Sequence, residues 1–72
     1  MEEKTTILGH IVSYDSPSAD GGIRYLKHRI ESNEAKVFFN QAFSRGHADF
    51  EDNMNHNYRL VHHGGGYQLE RL

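Results

Sequence analysis

The chain has no cysteine, no tryptophan and one proline among its 72 residues. Without cysteine no disulfide can shorten the unfolded chain, and no thiolate can hold a metal ion. No apolar run approaches the roughly 20 residues that span a bilayer. The opening Met1-Glu2-Glu3-Lys4-Thr5-Thr6 lacks the basic head and apolar stretch of a secretory signal. The expectation is a cytoplasmic protein with no membrane partner. Net charge is also small. Ten acids against eight Lys and Arg leave a formal −2, too mild for an acidic DNA mimic and too acidic overall for a nonspecific coat on DNA.

What remains is one small domain over residues 1–72, with residues 1–5 as a frayed terminus. No internal repeat or low-complexity segment interrupts it. A domain of this size buries only about 60% of the surface its unfolded chain exposes, so self-association or a partner would supply useful burial.

Ile7 to Tyr14 has the β-branched and aromatic density of a strand. Asp15 to Gly22 then collects Asp, Ser, Pro and Gly, each a turn former for its own reason, and reads as a mobile loop. Ile23 to Ile30 reads as a second strand, hairpinned to the first. Two registers satisfy the pattern. Pairing Tyr14 with Ile23 gathers Ile7, Ile11, Leu26 and Ile30 on one face. A slip of one residue gathers Leu8, Val12, Leu26 and Ile30 and sets His10 opposite His28.

The spacing then changes. Ala35, Phe38, Phe39, Ala42 and Phe43 recur at i, i+3, i+4, i+7 and i+8, predicting a helix over Glu34 to Arg45 with the three phenylalanines as its anchor. Ser32 or Asn33 is placed to cap it, Glu34 suits the positive end of its dipole, and Gly46 is placed to end it. The last third alternates again: Ala48 to Glu51, Tyr58 to His62 and Tyr67 to Leu72, joined by turns at Asp52–His56 and His63–Gly66. One face of this sheet is apolar and covered. The fold class is α+β, in the order ββαβββ, with one helix packed on an antiparallel sheet.

Six histidines stand out: His10, His28, His47, His56, His62 and His63. A metal site needs three or four ligands converging on one point. Their spacing supplies no such cluster, the nearest being His56 and His62 with Asp52, so no metal and no cofactor are expected. They read as sheet and turn histidines. No serine lies in a nucleophile elbow, and Asp49, Glu51 and Asp52 read as solvated acids, so no catalytic residue is assigned. Gly21-Gly22 and Gly64-Gly65-Gly66 precede strands rather than a helix and read as hairpin loops, not phosphate cradles.

Arg24-Tyr25-Leu26-Lys27-His28-Arg29 is the densest candidate site. On a strand, Tyr25, Lys27 and Arg29 share a face, with Arg24 and His28 at its edge. An aromatic and basic stripe of this kind stacks bases and tracks phosphates in single-strand binders. Lys and Arg also guard strands against edge aggregation. Positive charge at Arg24–Arg29 and negative charge at Asp49–Asp52 are complementary. They would meet in a symmetric dimer or across one fold. The expectation is a non-enzymatic protein-interaction or self-associating module, a homodimer included. A single-stranded nucleic-acid binder using the Tyr25 stripe is the alternative.

Overall fold

Two strands at the start of the chain form a tight hairpin. β1 (Glu2–Ile7) pairs antiparallel with β2 (His10–Asp15), from Glu2 opposite Asp15 to Ile7 opposite His10. The computed structural model describes residues 1–72. Only Leu8 and Gly9 lie between these strands, and both have positive φ, 52° and 82°. That is the backbone a two-residue hairpin turn needs to match strand twist. The segment read as one strand over Ile7 to Tyr14 is therefore a turn and a second strand. Most of the terminus expected to fray is in β1.

The chain then turns through Ser16–Ala19 and becomes helical. α1 (Asp20–Arg24) runs into a π-helical turn (Tyr25–Arg29), and α2 follows (Ser32–Arg45). The strand expected over Ile23 to Ile30 is absent, and both hairpin registers built on it fall with it. Ala19, Ile23 and Leu26 are buried on one side of this helical segment, with Ile30 packed against the core beyond it. Their spacing is helical, and the core-facing stripe prevails over the strand-like alternation of Tyr25, Lys27 and Arg29. Gly21 and Gly22 are not a hairpin loop. A Cβ on Gly22 would stand 2.8 Å from Tyr58 Cδ1 and 2.9 Å from Leu69 Cδ2. The bare glycine backbone is what lets α1 lie this close to the sheet.

α2 ends at Gly46, whose φ is 93° and whose amide donates to the Ala42 carbonyl. Its start has no side-chain cap. Ser32 and Asn33 are already inside the helix, and Glu31 precedes it. Of the three phenylalanines only Phe39 is buried. Phe38 is half-buried against the core and Phe43 is 64% exposed.

β3 (His47–Glu51), β4 (Asn57–His63) and β5 (Gly66–Arg71) form the expected meander. The sheet order is β1-β2-β5-β4-β3, and β2 runs parallel to β5, with Val12 opposite Tyr67 and Tyr14 opposite Leu69. The sheet is thus mixed, where an antiparallel one was expected: the helical crossover from β2 brings the meander back beside it. Val12, Leu69, Leu60, Tyr58 and Phe50 line the face under the helices. A five-stranded mixed sheet with two helices makes one α+β domain. No helix is long and apolar enough to cross a membrane.

Candidate functional site

Asp52 follows β3 at the rim of the sheet and is the only buried charged residue, 8% exposed. Its Oδ1 accepts the amides of Met54 and His56, each at 2.9 Å, which closes the β3–β4 turn. Its Oδ2 accepts the Tyr58 hydroxyl at 3.2 Å. His56 Nδ1 stands 3.4 Å from the same oxygen. Burial acts to raise the carboxyl pKa. The bonds from the His56 and Met54 amides and from Tyr58, with the His56 ring nearby, outweigh it, and Asp52 lies below the usual carboxylate value. Tyr58 moves the other way. Burial first, then the Asp52 charge and the hydrogen bond to it, push its phenol above the ordinary value.

Tyr58 and Asp52 form the floor of a cleft of about 420 Å³. Pro17, Ser18 and Gly21 close one side of it, and the turn residues Asn53, Met54 and His56 close the other. Arg24, Tyr25 and Arg29 reach it from the helical segment, and Arg71 from the end of β5, where it is paired with Tyr58 across the sheet. The ring of Tyr25 is half-buried and stacks on Phe50, centroids 5.8 Å apart. All three arginines are exposed. None makes a salt bridge or side-chain hydrogen bond within the chain, whose ion pairs are Met1–Asp15 and Arg59–Asp49, with the His56 ring beside Asp52.

The π turn arranges these side chains. In a regular α-helix the residue one turn below Arg24 is His28. Here the Ile30 amide donates to the Tyr25 carbonyl five residues back, at 3.3 Å. The wider turn takes in one extra residue and brings Arg29 to the cleft instead. Of the five residues marked in the sequence, Arg24, Tyr25 and Arg29 line the cleft. Lys27 and His28 are exposed and do not. The strand face that was to unite Tyr25, Lys27 and Arg29 does not exist.

Arg71, Asp52 and Tyr58 belong to the cleft and were not marked as site residues. Asp52 carried a usable signal: an acid followed by Asn53 and Asn55 marks a turn whose amides it can cap. Arg71 carried none, because its place depends on the β4–β5 register and on where the helical segment crosses.

The histidines are dispersed. His10 stacks on Phe39 at 4.6 Å, and His62 lies against Phe43 and Tyr67. His56 and His62, at opposite ends of β4, share no site, and no group of three or more His, Asp or Glu is placed to hold a metal ion. Asp49 is held by Arg59 Nε at 2.8 Å on the open sheet face. Another concavity, about 440 Å³, lies over that face. It is lined by both Glu2 and Lys4 and has no charge of one sign to define a ligand. No protein-family model, no curated protein and no solved structure matches this chain.

Proposed function

We propose that the chain is a small non-enzymatic binding module that engages a protein partner at the arginine-lined cleft. The observation that carries the reading is the grouping of Arg24, Arg29 and Arg71, without internal ion partners, around the half-buried Tyr25. Arginine and tyrosine are the side chains that most often anchor protein interfaces. A second copy of the chain is one candidate partner, since the edge strand β3 presents the exposed Glu51. Single-stranded nucleic acid is the alternative. Lys27 and His28 beside the cleft favour it, whereas Glu70, Asp15 and Glu2 at the exposed sheet positions oppose a polyanion that must track across the surface.

The test replaces Arg24, Arg29 and Arg71 together by Gln. Sedimentation equilibrium follows self-association, and labelled acidic peptides and single-stranded oligonucleotides are titrated in parallel. Peptide binding or dimerisation that disappears in the variant, with an unchanged melting temperature, supports the reading. Oligonucleotide binding with a log–log salt slope steeper than about −2, and no peptide binding, overturns it in favour of nucleic acid.

A further inference from the structure

We propose that the cleft is a receptor for a phosphate monoester displayed on a protein partner. The inference rests on the protein-binding reading above and deepens it by naming the group recognised.

The argument begins with charge. Arg24, Arg29 and Arg71 bring three fixed positive charges to one concavity of about 420 Å³. The one carboxylate there, Asp52, has both oxygens committed to its own turn amides and to Tyr58. The Asp52 charge offsets part of theirs, but none of the three guanidinium groups has a salt bridge or side-chain hydrogen bond within the chain, so their N–H donors are left for a ligand. A side-chain carboxylate offers one negative charge and two acceptor oxygens. A phosphate monoester offers roughly −1.5 to −2 charges and three acceptor oxygens. Guanidinium presents its N–H groups as planar forks that match such oxygens in pairs.

Shape favours the same ligand. The cleft is flanked by Pro17, Ser18 and Gly21 and by the turn residues Asn53, Met54 and His56, so it suits one end group better than a running backbone. The half-buried Tyr25 ring supplies an apolar wall for the stem that carries the phosphate. The π turn brings Arg29 to face the cleft in the place where an α-helix would put His28, and π turns recur at functional sites.

The test is an amide-shift titration of the full chain with a short neutral peptide bearing one phosphoserine. Its twins carry serine or glutamate at that position, and inorganic phosphate and a single-stranded oligonucleotide are run beside them. The expected result is saturable shifts at Arg24–Ile30, Asn53–His56 and Arg71. The phosphopeptide should bind at least tenfold tighter than the glutamate twin, and inorganic phosphate should shift the same residues more weakly. Arg29→Gln and Arg71→Gln should each weaken the phosphopeptide by tenfold or more. Lys27→Gln, outside the cleft, should change it less than twofold. These side chains are exposed, and an unchanged amide spectrum elsewhere confirms that the variants fold. A glutamate twin binding as tightly at the same residues overturns the phosphate assignment and leaves the cleft as the interaction surface. An oligonucleotide binding there more tightly than the phosphopeptide overturns both readings, as does the absence of cleft shifts with every peptide.

Discussion

The hydroxyl of Tyr58 donates to Oδ2 of Asp52 at 3.2 Å, and this buried bond ties the floor of the cleft to the turn that closes it. The two groups titrate in opposite senses, and each sets one edge of a stability window. Asp52 has a lowered pKa when folded. It contributes stability above the unfolded value of ~3.9 and loses it as pH falls through the lower folded value. Tyr58 has a raised pKa when folded. Its contribution is present below ~10 and is lost as pH rises through the folded value. Tyr58→Phe should cost about 1.5–3 kcal/mol at neutral pH by removing a buried bond to a charged carboxylate. It should also flatten the alkaline fall in stability. Urea unfolding from pH 7 upward measures both, and a variant that falls as steeply as the wild type above pH ~10 would disprove the assignment to Tyr58.

The close approach of α1 to the sheet sets the sign of a glycine substitution. Alanine is favoured over glycine in a helix by about 1 kcal/mol. At Gly22, however, the new methyl would meet Tyr58 and Leu69 at 2.8 and 2.9 Å. Both rest in the core, so neither is free to move aside. Gly22→Ala should therefore destabilise by about 1–3 kcal/mol, the usual range for overpacking. Gly65, with nothing within 4 Å, is the control. Gly65→Ala should be neutral or slightly stabilising. Thermal melts of the pair decide the matter, and equal effects would mean that α1 does not rest on Tyr58.

Phe39 and Phe43 separate in the same kind of experiment. Phe39 is 2% exposed and sits between His10 and Tyr67, with centroids at 4.6 and 4.9 Å. Phe39→Ala should remove about 3–5 kcal/mol, enough to unfold much of a chain this small. Phe43 is 64% exposed and touches His62 at the rim. Phe43→Ala should cost less than about 1 kcal/mol by the same reasoning. If both substitutions unfold the chain, the α2 face is rotated from its observed position.

Leu8 offers a stabilising change. It holds φ 52° in the hairpin turn and is 42% exposed. A left-handed conformation costs an ordinary L-residue roughly 1–2 kcal/mol, and asparagine bears it better. Leu8→Asn should raise the melting temperature by a few degrees. A lowered melting temperature would show that Leu8 packs against a surface that matters.

The same residue shows why part of the fold was legible and part was not. The meander and α2 follow from periodicity, because Tyr58/Leu60, Tyr67/Leu69 and Ala35/Phe39/Ala42 each repeat on the face that is buried. The β1–β2 turn was hidden because leucine occupies a position where asparagine or glycine announces a hairpin. The helix over Asp20–Arg29 was hidden because Gly21-Gly22, a poor helix-forming pair, is needed for packing on Tyr58 and not for a turn. Its Ala19/Ile23/Leu26 stripe was present but competed with an equally regular alternation. The cleft inherits both difficulties. Arg24, Tyr25 and Arg29 could be found as a basic cluster, whereas Arg71 joins them only through tertiary structure.

The π turn itself can be edited. Its extra residue makes the spacing from Arg24 to Arg29 five positions, where α-helical geometry closes on four. Deleting His28, which is exposed and outside the cleft, turns that spacing into four and permits a regular α-helix from Asp20 onward. Arg29 would then still lie one turn below Arg24. The deletion variant should fold, with an equal or higher melting temperature, and keep Arg29 at the cleft. Deleting Asn40 is the contrasting case. Asn40 is also exposed, but α2 has no extra residue to give up. Removing one there rotates the following residues by about 100° and takes Ala42 out of the core. That variant should not fold. Backbone amide spectra of the two deletions settle the comparison. If loss of His28 is as damaging as loss of Asn40, the wide turn is needed for the packing of Leu26 and not only for the placing of Arg29.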